Sequence, residues 1–251
     1  MKKALFSGIS LAALLAVGAA SAADLPRRIP ASEVIQPSFS WTGFYLGTHT
    51  GVAVGKTTTS NNAPYGGFDS GVPLSYELNP VNIFGGGQFG YNWQYGVYVI
   101  GAEADIGYLG IRSTAYPAPD DYVSVKYGWY GTVTGRLGLA YDRLLGYVKG
   151  GMAVASITNT ASDLTAAGAF NASDYSQVKQ TRVGWTVGSG FEYAIAPAWS
   201  VKSEYMYMDF GKQNSTNIDG DTFTHKNQVH TWKVGLNYRW GGYQAPVIAR
   251  Y

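Results

Sequence analysis

The chain has 251 residues, 14% of them charged, with 33 Gly, 20 Tyr, 10 Phe, 7 Trp and no Cys. Its formal charge is +2, and without Lys2 and Lys3 the 18 basic residues fall to 16, equal to the 16 acidic ones; with no basic run either, nothing points to nucleic acid. Without cysteine an exported chain gains nothing from disulfides, and so much glycine and aromatic side chain is unlike a soluble enzyme; it fits a barrel that turns aromatics to lipid and lines a tight interior with small residues.

The amino terminus reads as a secretory signal peptide over residues 1–22. Lys2 and Lys3 form the positive region, Ala4 to Val17 is apolar and small, and Ala20-Ser21-Ala22 offers a small-x-small cleavage pattern. An uncleaved anchor is the competing reading; the alanine-rich end followed at once by Asp24 speaks against it. Residues 23–40 carry Pro26, Pro30 and Pro37 among charged and small residues and read as a flexible periplasmic lead-in. After residue 23 no apolar run reaches the roughly 18 residues a membrane helix needs, so a spanning chain has to be a closed barrel.

From Trp41 to Trp240 the sequence falls into eight segments with period-two alternation, the β signature. In the last, Trp232, Val234, Leu236, Tyr238 and Trp240 share one face, while Thr231, Lys233, Gly235, Asn237 and Arg239 share the other. The same alternation recurs around Glu103 and Asp105, around Arg136, from Arg182 to Glu192, and around Lys202 and Glu204. Trp41–Gly55, Ile83–Trp93 and Leu145–Ile157 are less regular but β-prone. The connections alternate long and short. Lys56–Pro80, Ile111–Val123, Thr158–Gln180 and Gly211–Gln228 are long; Gln94–Gly96, Asp142–Leu144 and Ala196–Ala198 are short. That alternation predicts an all-β, eight-stranded antiparallel up-and-down barrel with short periplasmic turns and long extracellular loops.

Three constellations follow from this map. Trp41, Trp93, Trp129, Trp185, Trp199, Trp232 and Trp240 all fall near strand ends and are expected to form aromatic girdles, although Trp41 is out of phase with Phe44 and Leu46. Glu103, Asp105, Arg136, Lys149, Arg182, Glu192, Lys202, Glu204, Lys233 and Arg239 fall on the polar faces and point to the lumen. Eight strands leave room only for side chains, so these charges are expected to pair as a plug, Arg136 with Glu103 or Asp105 and Glu204 with Lys233, rather than line an ion path. His225 and His230 at the outer end of the last strand are candidates for a haem site; rim polar residues are the plainer reading, because no metal spacing is present. Ser200 and Ser203 lie at the opposite end from His230, so no nucleophile meets a base and no enzyme, metal or cofactor is expected.

Several stretches carry a resemblance over essentially the whole chain: Trp-Thr-Gly-Phe-Tyr-Leu-Gly at 41–47, Gly-Gly-Gly-Gln-Phe-Gly-Tyr-Asn-Trp at 85–93, Gly101-Ala-Glu-Ala-Asp105, Gly188-Ser-Gly-Phe-Glu-Tyr193 and Val234-Gly-Leu-Asn-Tyr238. Together they resemble the porin-family outer-membrane β-barrel proteins of alphaproteobacteria, of the OmpA-like eight-stranded type. The resemblance implies a structural protein of the cell outer membrane that contributes to envelope integrity and displays surface loops. Its implied partners are outer-membrane lipid, lipopolysaccharide, the barrel-assembly machinery and a host or surface ligand at the loops. The alternative it leaves open is a small-solute porin or a haem-binding surface receptor. Family barrels end at the aromatic closing the last strand, here Trp240, whereas this chain continues as an extension over residues 241–251, leaving Trp240 and Tyr251 as rival assembly signals.

Overall fold

The structure is a computed structural model that describes residues 39–61, 75–116, 121–163, 175–216 and 222–240. The expected signal peptide, the lead-in up to residue 38, the middles of the longer loops and the extension 241–251 lie outside the described residues.

Among the described residues, ten strands form one antiparallel sheet. They are β1 (Gly43–Asn61), β2 (Ser75–Leu78), β3 (Val81–Tyr95), β4 (Tyr98–Tyr108), β5 (Arg112–Ala115), β6 (Asp121–Tyr141), β7 (Leu144–Asp163), β8 (Ser176–Ala196), β9 (Trp199–Thr216) and β10 (Thr222–Trp240). Sequence neighbours pair in turn, and β1 pairs with β10 from Phe44↔Trp240 to Asn61↔Phe223, closing the ring. The two short strands continue longer ones. β2 precedes β3 across Asn79-Pro80, where the Gly55 N–H donates to the Pro80 carbonyl, and β5 follows β4 across a kink at 109–111. The closed wall is therefore made of eight strands, β1, β3, β4, β6, β7, β8, β9 and β10.

At one end the strands join by two-residue turns at Gly96-Val97, Asp142-Arg143 and Pro197-Ala198. Gly96 and Asp142 take φ of 59° and 49°, the left-handed conformation that tight hairpins require. At the other end the connections are long, so the long–short alternation holds. The strands there run further than expected: β1 continues through Thr57-Thr58-Thr59-Ser60, and β7, β8, β9 and β10 all extend into segments read as loop.

Alternation sorts the side chains. Along β10 every second residue from Thr231 to Arg239 is buried in the lumen, and Trp232, Val234, Leu236, Tyr238 and Trp240 stand outside. The same holds for Ile100, Ile106, Val133, Leu137, Val187 and Phe191 on other strands. A soluble protein would not leave so continuous an apolar exterior; a lipid-facing barrel has to.

One irregularity matters below. The β8–β9 ladder stops at Trp185↔Asp209, whereas β7–β8 pairing continues to Ala161↔Ser176 and β9–β10 pairing to Thr216↔Thr222. Above Trp185 the two strands part.

The face assignment has a direct test. Arginine in place of the outward Leu236, midway between Trp232 and Trp240 on β10, should cost about 2–4 kcal/mol. Urea titration of the protein refolded into phospholipid vesicles reads this loss; an unchanged midpoint would put Leu236 away from lipid.

Candidate functional site: the lumen and the outer rim

The lumen is filled in three storeys. Nearest the tight turns, Trp41, Val99, Leu145 and Tyr147 form a buried apolar cluster. Above it lies a belt of charge. Toward the long loops, Phe84, Leu109, Ile111, Tyr127, Ile157, Met208 and Phe210 form a larger apolar cluster.

The belt has a core of three lysines and three carboxylates. Lys149 Nζ lies 2.6 Å from Glu103, 2.9 Å from Glu204 and 3.2 Å from Asp105. Lys233 lies 2.5 Å from Asp105 and 3.0 Å from Glu204, and Lys202 lies 3.0 Å from Glu103 and 3.6 Å from Glu204. A second group surrounds Glu192. It accepts from Arg136 at 3.0 Å, from Ser200 at 2.6 Å and from Asn237 at 2.9 Å, with Arg239 at 3.9 Å. Arg136 touches Glu103 only at 3.8 Å and makes no bridge to Asp105, so its main partner is Glu192, a pairing the sequence reading did not make. Glu204 and Lys233 meet as expected. All these side chains are essentially free of solvent, a situation in which charges persist only when paired and hydrogen-bonded.

Glycine is what lets the uncharged residues complete the belt. Tyr45 on β1 faces Gly90 on β3, and Gly90 faces Glu103 on β4; the Tyr45 ring lies across the glycine and its hydroxyl donates to Glu103 at 2.8 Å. The arrangement repeats at Tyr147 on β7, Gly190 on β8 and Glu204 on β9, again with a 2.8 Å hydrogen bond. A Cβ on Gly190 would sit 2.8 Å from the Tyr147 hydroxyl and 2.6 Å from the Ser203 carbonyl. Arg136 stacks 3.8 Å from the Tyr147 ring centre, joining the two groups. His49, also inside, donates from Nδ1 to the Gln88 carbonyl at 2.6 Å, which leaves Nε2 to accept from Tyr130 at 2.7 Å.

Three of the expected placements need correction. Trp41 is not in a girdle: it is 0% exposed, precedes β1, and lies inside the barrel with the Arg239 guanidinium 4.2 Å above its ring. Its phase mismatch with β1 reflects this. The other six tryptophans, Trp93, Trp129, Trp185, Trp199, Trp232 and Trp240, stand outside, between 42% and 64% exposed. Arg182 does not join the belt. It sits where β8 and β9 part and donates to the carbonyls of Phe210 and Lys212, standing in for the missing ladder. His225 and His230 do not converge on one ligand. Five residues apart on one strand, they face opposite ways. His225 is buried between Thr59 and Ser215, both ring nitrogens hydrogen-bonded, at 2.9 and 3.0 Å, while His230 is outside against Tyr205 and Tyr207.

A closed meander with a lipid-facing exterior, tryptophans at both ends and a lumen filled by paired charges defines an outer-membrane β-barrel protein. The chain belongs to the family described as the outer membrane protein beta-barrel domain, which matches residues 9–240. It is 37% identical to the 31 kDa outer-membrane immunogenic protein of Brucella melitensis biotype 1, over 92% of this chain and 97% of that one. It is 30% identical to the 22 kDa outer membrane protein of Rhizobium leguminosarum bv. viciae, over 82% and 81%. Among solved structures it is similar to the outer membrane protein OprG from Pseudomonas aeruginosa, with a TM-score of 0.47 and 9% identity over 79% of this chain and 97% of that one. Its place is the cell outer membrane.

Two outcomes follow from this geometry. Gly190→Ala should cost about 1–3 kcal/mol by overpacking the Tyr147 row, whereas Gly135→Ala, whose added methyl meets nothing within 4 Å on the outer face, should leave the urea midpoint unchanged.

His225 lies above the upper tryptophans, and burial lowers its pKa from 6.5 to about 4. As pH falls from about 6.5 to about 4 the unfolded imidazole takes up a proton and the folded one does not, so stability of this rim drops, by about 3 kcal/mol at most. Hydrogen exchange of the β1–β10 rim amides should accelerate over that window, and His225→Gln should abolish the pH dependence.

Proposed function

We propose that this protein is a structural component of the outer membrane whose lumen is plugged, so that it works through its outer surface and loops rather than by conduction or catalysis. The observation that supports the reading is the Lys149 ammonium held within 3.2 Å of three buried carboxylates, with an apolar cluster above and another below. A hydrated path would screen such charges and leave them apart; a dry belt ties neighbouring and opposite walls together. On this reading the barrel stiffens the envelope and carries the loops, and no group in the lumen is offered to a substrate.

Lys149→Met is the telling variant. It removes one cation from among Glu103, Asp105 and Glu204, the costly kind of break, on the order of 3–5 kcal/mol. The double change Lys149→Met with Glu204→Gln should recover much of that loss, because the charge balance is restored. In planar bilayers the wild type should give at most rare, small openings, and Lys149→Met larger ones. A steady wild-type channel whose selectivity shifts in Lys149→Met, with an unchanged unfolding midpoint, would reverse the reading in favour of a pore. Cells lacking the protein should also become more sensitive to detergent, and the Lys149→Met protein should restore resistance less well than the wild type.

A further inference from the structure

The mouth at the tight-turn end is crossed by residues that do not belong to the wall. The β1 ladder begins at Gly43↔Asn92 on one side and at Phe44↔Trp240 on the other. At Gly43 the backbone takes a φ of 138°, and a Cβ there would lie 2.3 Å from the Trp240 carbonyl oxygen. Only glycine makes that turn without strain. Before it, Trp41 is buried with Leu145 of β7 and Ala194 of β8, on the far side of the ring. The β6–β7 turn lies opposite β1, and the Trp41 indole N–H reaches it, donating to the Asp142 carbonyl at 3.1 Å.

Side chains hold this crossing in place. The Trp41 backbone N–H donates to Gln94 Oε1 at 2.7 Å, and the Ser40 carbonyl accepts from Arg239 at 3.1 Å. Among the described residues, lifting residues 39–41 breaks no backbone–backbone hydrogen bond, so the wall stays closed without them. The crossing also answers a charge imbalance. Among the described residues the lumen buries three lysines and two arginines against four carboxylates, leaving one cation in excess. Glu192 serves both arginines, at 3.0 Å from Arg136 but 3.9 Å from Arg239, so Arg239 is the less compensated. Its guanidinium lies 4.2 Å from the Trp41 ring centre and 5.0 Å from that of Phe39, two rings that meet edge to face at 5.1 Å. Those rings and the Ser40 carbonyl stand in for the missing carboxylate.

We propose that Phe39, Ser40 and Trp41 form a strap that closes the periplasmic mouth, pivots at Gly43, and on lifting admits water and small anions to the lower storey. Arg239, freed of both rings, then lines the opening and favours an anion over a cation. The belt above does not move. The strap lies below the belt and shuts the mouth whether or not the belt is dry, so this inference and the plugged-lumen reading fail separately.

The chain has no cysteine, so single thiols report on each storey. Ala194→Cys puts one in the lower cluster and Ala153→Cys one in the upper, both at buried positions. The full chain, exported and purified from outer membranes in zwitterionic detergent, is exposed to a sulfonate-bearing and to a trimethylammonium-bearing methanethiosulfonate, and modification is timed by mass spectrometry. With the strap intact, Ala194→Cys should react slowly. Adding Gln94→Ala, which removes one bond to the strap and leaves its rings, should speed the reaction about fivefold, the effect of one hydrogen bond on the opening equilibrium. Adding Trp41→Ala should speed it on the order of a hundredfold. The sulfonate should gain more than the cation, and further addition of Arg239→Gln should remove that preference. Ala153→Cys should stay unreactive in all of these backgrounds. If Trp41→Ala fails to fold, shown by loss of heat-modifiable migration in gels, Gln94→Ala carries the test. Ala194→Cys reacting as fast with the strap intact as without it overturns the proposal, and so does an equally slow reaction in every variant. Acceleration of Ala153→Cys together with Ala194→Cys also overturns it, because residues 39–41 would then hold the whole barrel and not the mouth.

Discussion

Everything in this molecule follows from the requirement that no backbone N–H or C=O be left unpaired in hydrocarbon. The requirement is met when β1 finds β10 along almost its whole length, because only then does each wall strand have a partner on both sides. Closure fixes the rest. With eight wall strands the interior is narrow, so each inward residue is in contact with its neighbours and each outward one belongs to lipid. A one-residue slip anywhere would send Lys233 or Glu103 into the bilayer and Leu236 into the belt. The buried charges therefore act as register marks: they are compatible with one alignment of the ring.

Within that narrow interior, uncharged groups take up part of the charges' spare hydrogen-bonding capacity, while Arg136 Nε and Arg239 Nε are left without a hydrogen-bond partner. Glu192 accepts from Ser200 and Asn237 as well as from Arg136, and Gln88 bridges His49 and Asn237. The Tyr–Gly–Glu rows show how steric room is made for this. A tyrosine can lie flat across the next strand only where that strand has no side chain, and the hydroxyl then arrives beside the carboxylate one strand further on. Gly90 and Gly190 have this origin, and other glycines do not. The outward Gly135 leaves open space beside it and is explained by nothing inside the barrel.

The parts of the fold legible in the sequence were those where the two faces of a strand meet different solvents. β10 from Trp232 to Trp240 alternates apolar with polar because one face meets lipid and the other a polar lumen. Beyond the membrane that contrast disappears: in Thr57-Thr58-Thr59-Ser60 both faces are polar, alternation carries no signal, and strand reads as loop. Partners across the lumen were legible only as candidates. That Arg136 faced inward could be read; that it meets Glu192 required knowing which strands lie opposite and at what height. Trp41 had given its warning by being out of phase. The spacing of His225 and His230 is an odd number, which on a strand separates them onto two faces, because the period of two continues into the strand's outer part.

The extension of the strands past the girdle changes what the barrel offers to its surroundings. A wall that ended at Trp129, Trp185 and Trp232 would leave only loops above the lipid, with positions fixed loosely. Here the sheet continues for several residues, and the side chains on it are held at strand spacing, so charge can be placed at a chosen height over the aromatic ring. The continuation is not uniform. β8 and β9 part above Trp185, and Arg182 spans the gap by donating to two β9 carbonyls. That bond pattern ties Arg182 to the wall, while Lys179, one inter-strand step from Thr158 on the intact β7–β8 ladder, projects outward. The membrane-buried half of the molecule thus specifies alignment through paired charge inside, and the exposed half holds its charges at the surface, Lys56 with Glu77 among them. Both come from one sheet, and they differ because one has to satisfy its charges within the chain and the other has solvent to satisfy them.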